Sequence, residues 1–199
     1  MDDIVVIENI IPKDYQNHLE EMLTGWEFPW VLNKNIVSGD EPFKGMEKNP
    51  PGFNHFFYEK NAPVSNYFQT VYPLVLSITS QHGVPFNRLF RMRANLTVAN
   101  GTGALLPHID SFHPHWNAIY YVNDSDGDTI IYNETNDNFD PGPADIDRIK
   151  TGVFTEKLRV TPKKGTLLAF NGKYYHTASF CEKTPYRCLI NINLGNILL

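Results

Sequence analysis

The sequence predicts a mainly β (α+β) fold, an antiparallel sandwich or barrel whose sheet is buttressed by helices from the N-terminal part. Two observations carry this. From about Asn87 onward, apolar residues recur at every second position, the period of a strand with one face buried. These runs are short and separated by turn-forming residues, whereas the runs of helical periodicity lie in the first eighty or so residues. At 199 residues, with 42% hydrophobic and 20% charged residues, the chain suits one well-packed domain. In that domain residues 1–86 form a helical and loop region, and residues 87–199 form the β core.

The elements follow in order. Ile4 to Ile7 is a short apolar strand. Pro12-Lys13-Asp14 opens a helix of about a dozen residues with Tyr15, Leu19, Met22 and Leu23 on one face. Trp26, Phe28 and Trp30 alternate as in a strand and are assigned to the core. Residues 33–52 are rich in Gly, Pro, Asp and Lys and read as a long loop, of a length that is usually functional or mobile. A second helix is expected from about Pro63 to Ser80, carrying Tyr67, Val71, Leu74, Val75 and Ile78. Period two then takes over. Phe90, Met92, Ala94, Leu96 and Val98 alternate with Arg91, Arg93, Asn95 and Thr97. Ala118, Tyr120 and Val122 alternate with Asn117, Ile119, Tyr121 and Asn123. In the last strand Cys188, Ile190, Ile192 and Leu194 alternate with Arg187, Leu189, Asn191 and Asn193. Further strands are expected near 128–133, 154–160, 166–170 and 175–180. The acidic stretch 133–147, with two prolines, reads as a flap or insertion.

Composition narrows the function. The net charge of −5 does not favour a nucleic-acid partner. No apolar run reaches the length of a membrane span, and the acidic start Met1-Asp2-Asp3 lacks the features of a signal peptide. A cytoplasmic location is expected, with Cys181 and Cys188 as free thiols.

The polar strand faces carry the chemistry. His108-Ile109-Asp110 places two metal-ligating side chains two residues apart, and on a strand those share a face. His176 lies sixty-odd residues further on and Arg187 eleven beyond that. Two histidines and one carboxylate can hold one face of an octahedral Fe(II), leaving three positions open. Arginine supplies a permanently charged fork for a carboxylate. The polar faces are therefore expected to line a pocket, with the apolar faces under the helices. A hairpin of 175–180 with 186–194 would bring Arg187 beside that pocket.

From Arg88 to Leu194 the chain resembles the iron(II)- and 2-oxoglutarate-dependent dioxygenases, in their prolyl 4-hydroxylase-like branch. The ordered pieces are Asn100-Gly101-Thr102-Gly103 before His108-Ile109-Asp110, then Ala118-Ile119-Tyr120-Tyr121-Val122-Asn123. Asp126-Gly127-Asp128-Thr129 is similar to a Gly-Gly-acidic-Thr turn with its first glycine replaced. Pro162-Lys163-Lys164-Gly165 through Phe170 to His176, and then Arg187, complete the series. The resemblance implies a double-stranded β-helix (jelly roll) with N-terminal buttressing helices. It implies that His108, Asp110 and His176 bind Fe(II) and that Arg187 and Tyr121 bind the distal carboxylate of 2-oxoglutarate. Thr129 would belong to the cosubstrate wall. Asn95 faces the direction from which some relatives present a second phenol. The implied cofactors are Fe(II), 2-oxoglutarate and O2, with ascorbate as a reductant. The implied reaction is hydroxylation of an unactivated C–H, of a prolyl residue in a peptide or protein or else of a free amino acid or other small molecule. A cupin-like metal protein and a non-catalytic jelly-roll module are the alternatives.

The remaining candidates have simpler readings. His113 and His115 border the mouth of the site, His18 and His82 lie on or after helices, and His55 is a packing residue. Asp124, Asp126 and Asp128 lack the closing glutamate of a calcium loop and form a turn.

Overall fold

In a computed structural model of the chain, the described residues are 3–34, 50–82, 88–139 and 143–195. Strand β1 (Ile4–Ile7) leads into helix α1 (Lys13–Thr24). Strands β2 (Val31–Asn33), β3 (Gly52–Glu59) and β4 (Ala62–Pro63) precede helices α2 (Phe68–Val71) and α3 (Pro73–His82). Then come β5 (Arg88–Val98), β6 (Trp116–Tyr121), β7 (Thr129–Thr135), helix α4 (Pro143–Thr151) and β8 (Glu156–Val160). Strands β9 (Leu167–Asn171), β10 (Tyr174–Ala178) and β11 (Tyr186–Gly195) complete the chain. The strands form two antiparallel sheets. The larger runs β1-β9-β6-β11-β5-β3-β2, with β4 on β3, and the smaller runs β10-β7-β8. The arrangement is the double-stranded β-helix expected.

Alternation sorts the larger sheet into two faces. Met92, Ala94, Ala118, Tyr120, Cys188, Ile190 and Ile192 pack in one core with Leu19 and Leu23 of α1 and with Val71, Leu74, Val75 and Ile78 of α2 and α3. Each Leu, Ile, Val or Met side chain among them contributes ~1.5–3 kcal/mol by burial. On the opposite face, Ile119, Tyr121, Leu168, Phe170 and Leu189 meet Ile131, Val160 and Tyr174 of the smaller sheet in a second core. That second core covers only part of its face; on β5 and β11 the same face carries arginine and asparagine. Lys164 of the turn before β9 reaches Glu20 and Asn17, tying α1 to the sheet.

Several expectations are corrected. The helix expected over 63–80 starts later, because Pro63 is in β4, and it breaks at Tyr72. Pro73 has no N–H to continue the ladder. Strand β3 was not foreseen: its register shifts between Phe56 and Tyr58, which destroys period two in an aromatic run. Trp26 is 91% exposed rather than core, whereas Phe28 is buried and the Trp30 indole donates to the Leu23 carbonyl at 3.0 Å. The 133–147 stretch is not simply a flap: β7 continues to Thr135, and α4 begins at Pro143, where proline's fixed φ suits a first helical turn. Most of the 33–52 loop lies outside the described residues. Cys181 and Cys188 are both buried and free.

The largest correction concerns the end of the chain. β10 and β11 do not form a hairpin, because β10 pairs with β7 in the smaller sheet and β11 with β5 and β6 in the larger. The connecting turn crosses between sheets and is held by Asp126, whose carboxylate accepts the amides of Glu182, Lys183 and Thr184 at 2.7–3.1 Å. That is the role of the acidic turn: Asp124 likewise accepts the Lys164 amide and Asp128 pairs with Arg159.

Candidate active site

Segment 103–108 runs as a broken strand along β10. Phe180 N–H donates to Gly103, Leu105 N–H to Ala178, and His108 and His176 exchange both backbone hydrogen bonds at 3.0 Å. Residues paired this way present their side chains on one face, and the two imidazole centroids stand 4.6 Å apart. Gly103, at φ +118°, supplies a backbone conformation that other residues rarely adopt. Asp110 lies in a bend after the bridge rather than in a regular strand, yet its carboxylate closes the constellation. Its Oδ1 is 4.0 Å from His108 Nε2 and its Oδ2 is 3.8 Å from His176 Nε2. One ligand atom from each residue lies within 4.8 Å of the others, the one such group among the described residues.

The chemistry of this donor set fits a metal ion. His108 Nδ1 faces the Leu106 carbonyl at 3.0 Å and His176 Nδ1 faces the Tyr174 carbonyl at 3.4 Å. A carbonyl only accepts, so each Nδ1 carries the proton and each Nε2 lone pair is left facing Asp110. Burial keeps both rings neutral, pushing His176 down to about 3 and His108 below its ordinary value. Burial opposes ionisation of Asp110, but the charges of Arg91 and Arg93 outweigh it and hold the carboxyl well below the usual range. Asn191 and Asn193 donate to its Oδ2 at 2.9 and 3.3 Å. Two neutral imidazoles and a fixed carboxylate are what a divalent cation requires.

From the histidines a partly open cavity runs between the sheets to Arg187; Arg93, Asn95 and Thr129 are among its lining. Arg187 enters from the larger sheet. Its Nη2 donates to Thr129 Oγ1 at 2.6 Å, its guanidinium lies 5.8 Å over the Tyr121 ring, and its buried Nε has no hydrogen-bond partner. No carboxylate pairs with it among the described residues. Burial lowers its pKa from the ordinary value, because a desolvated guanidinium is costly when no anion faces it. A Cβ on Gly127 would sit 3.1 Å from the Arg187 Cδ and 2.8 Å from Cys181 Sγ, so the glycine of the acidic turn makes room for this side chain.

His108, Asp110 and His176 converge. Arg187, Thr129 and Asn95 line the cavity, while Tyr121 lies behind them, its hydroxyl donating to Thr129 at 2.8 Å and its ring facing the Arg187 guanidinium. His115 is buried beside the site, with Nδ1 on the His113 carbonyl at 2.7 Å and the ring tilted against Phe139. His55 bonds Ser65 and the Pro29 carbonyl among Phe28, Phe57 and Tyr67, a packing role. His18 is exposed, and the His82 side chain lies outside the described residues. The sequence puts Arg91, Arg93, Asn191 and Asn193 on faces expected to line a pocket but gives none of them a role at Asp110. Their signal was present in the polar halves of two alternating strands, but which strand neighbours which was not.

No protein-family model matches the chain, and no curated protein matches it in sequence. Solved structures match it throughout. A Pseudomonas putida prolyl-4-hydroxylase is 13% identical with a TM-score of 0.57, covering 98% of this chain and 93% of its own. HygX from Streptomyces hygroscopicus, with nickel and 2-oxoglutarate bound, is 14% identical with a TM-score of 0.59, covering 99% and 84%. The non-haem α-ketoglutarate-dependent epimerase SnoN from nogalamycin biosynthesis is 14% identical with a TM-score of 0.62, covering 98% and 79%. The chain therefore has the double-stranded β-helix fold of the 2-oxoglutarate/Fe(II) oxygenases and carries a His-Asp-His facial triad within it.

Proposed function

We propose that this protein is an Fe(II)- and 2-oxoglutarate-dependent dioxygenase that hydroxylates an unactivated C–H. The observation that carries the reading is the pairing, in one cavity, of the triad with a buried guanidinium that no carboxylate neutralises among the described residues. A dicarboxylate spanning the two would satisfy both.

His108, Asp110 and His176 would hold Fe(II) on one face. Bound there with 2-oxoglutarate, the iron supplies oxygen activation driven by oxidative decarboxylation to succinate and CO2, with ascorbate as a reductant for the metal. The chain's own residues do the rest. Arg187 takes the distal carboxylate in a charge-assisted pair and fixes the cosubstrate's orientation. Thr129 positions that arginine, and Tyr121 positions Thr129. Asn191 and Asn193 hold one carboxylate oxygen of Asp110, so the ligand does not swing away. Leu105, Ile119 and Leu189 line the passage with apolar surface and limit water beside the reacting atoms.

A prolyl residue in a peptide or protein is the substrate supported by the resemblance along the chain and by the likeness to prolyl hydroxylases. A free amino acid or other small molecule is the second reading, favoured by the cationic residues beside Asp110. The test is anaerobic: Fe(II) and then 2-oxoglutarate are added to the purified protein and to His108→Ala. A weak visible band at ~500 nm in the wild type alone is the expected result for a 2-oxo acid chelated on such an iron. Iron binding without the band would favour a cupin-like metal protein instead.

A further inference from the structure

The cavity-facing side of β5 holds a second cationic group that the reading above leaves without a task. Arg91 and Arg93 stand two residues apart beside Asp110, and the two are not alike. Arg91 is tied down: its Nε donates to Asn193 Oδ1 at 2.8 Å and its Nη2 lies 3.2 Å from Asp110 Oδ1. The Nη2 of Arg93 is 3.8 Å from the same oxygen, beyond hydrogen-bond range, and its buried Nε has no hydrogen-bond partner. Its guanidinium lies 5.9 Å over the Phe56 ring. It lines both the cavity of the triad and an adjoining groove with Asn33 and Asn54, so it stands where that groove meets the triad.

Charge balance decides what such a group is for. Among the described residues Asp110 is the one carboxylate within 4 Å of the two arginines. If the triad holds a divalent cation, that carboxylate is committed to the metal. The cosubstrate's carboxylates are committed to the metal at one end and Arg187 at the other. Arg187 pairs in register with Thr97, four residues along β5 from Arg93, which is roughly 13 Å of strand. Arg93 is therefore at the far end of the cleft from the cosubstrate anchor, and a desolvated guanidinium there calls for another anion.

Resting on the oxygenase reading, we propose that Arg93 binds a carboxylate of the substrate, so that the enzyme acts on a carboxylate-bearing molecule. Were the pair only a support for Asp110, Arg93 would be hydrogen-bonded to it as Arg91 is placed to be. A planar fork in the bridging position matches a carboxylate bidentately and holds the neighbouring carbon beside the triad.

The experiment uses 15N-labelled protein saturated with Zn(II), which does no redox chemistry, and with 2-oxoglutarate, so that Arg187 is already occupied. The side-chain Nε–H signal of Arg93 is assigned by its loss in Arg93→Gln. Three probes are titrated: N-acetylglycine, its neutral amide, and the N-methylamide of N-acetyl-L-aspartic acid. The expected result is a saturable shift of the Arg93 signal with the carboxylates and none with the amide. The affinity, followed at other shifted signals, should fall about tenfold in Arg93→Gln and less in Arg93→Lys. Tighter binding of N-acetylglycine assigns a free acid, and tighter binding of the aspartyl compound assigns an acidic side chain; either supports the proposal. Equal binding of acid and amide, no shift at Arg93, or an affinity unchanged in Arg93→Gln overturns it. So does a loss of Zn(II) binding in Arg93→Gln with carboxylate binding unaltered, which makes the residue a support for Asp110. Failure of the wild type to bind Zn(II) and 2-oxoglutarate refutes the oxygenase reading instead. The carboxylate titration is then read on Arg187→Gln protein without either.

Discussion

Strands β5 and β11 have two faces that share a backbone and differ in every consequence. Toward the helices they present Met92, Ala94, Cys188, Ile190 and Ile192, all fully buried in apolar surroundings. Toward the smaller sheet the alternate residues are Arg91, Arg93, Asn95, Arg187, Asn191 and Asn193, several also buried but among polar groups. The first face gains from burial in proportion to area and is indifferent to direction. The second loses from burial unless each group has a partner, so its residues must be aimed. Close packing on one face thus fixes the backbone from which the other face is aimed.

Substitutions on the two faces should separate accordingly. The largest effect is expected for Asp110→Ala, which removes the carboxylate and should weaken Co(II) or Fe(II) binding more than ~100-fold, read by metal titration, while the far-ultraviolet circular dichroism stays native. Metal affinity retained in that variant would sink the assignment of the site. On the opposite face, Ile190→Ala should cost ~2–5 kcal/mol in denaturant unfolding and leave metal affinity within a few-fold; a proportional loss of both would mean the faces are not separable. Arg187→Gln should weaken 2-oxoglutarate by ~10–100-fold in an anaerobic spectral titration without changing metal affinity. It should not destabilise the fold, because it removes a buried charge that has no carboxylate partner. Asn191→Ala should lower metal affinity by ~10-fold, since Asp110 would lose its closer amide donor; calorimetry with Zn(II) checks this.

The smallest effect tests the turn that links the sheets. The Thr184 hydroxyl, with the amides of Lys183, Thr184 and Glu182, holds the Asp126 carboxyl well below the usual carboxylate range. A depressed folded pKa contributes stability that is present above the unfolded value of ~4 and is lost as pH falls toward the folded one. Asp126→Asn should therefore melt below the wild type at pH 7, with the difference narrowing in acid. A difference independent of pH would assign the role to hydrogen bonds that asparagine, with one acceptor oxygen fewer, cannot replace, rather than to the carboxylate charge.

Much of the molecule was legible in the chain. Period-two patterning gave the β half and separated the two faces over most of β6 and β11 and over Arg91 to Thr97 of β5, because side chains alternate about a strand; a register shift at Phe90 instead puts Leu89 in the core with Met92, and Val98 is exposed. His108, Asp110, His176 and Arg187 were identifiable because few residue types ligate metals or clamp carboxylates, and their order matched a known series. What failed locally failed for local reasons: the bulge in β3 hid its period, and Pro73 split a helix that apolar spacing alone would continue.

Only the tertiary structure decided which strands are neighbours. A hairpin of β10 with β11 is one pairing the sequence allows, whereas in the structure Asp126 binds the intervening turn and the two strands lie in opposite sheets. That crossing delivers Arg187 to Thr129 from across the cavity, brings Asn191 and Asn193 onto Asp110, and leaves Arg93 beside the triad. Residue type and alternation are properties of a segment and can be read from it. Partnership between segments far apart in sequence is set by how two sheets bury one another, and no single segment carries that information.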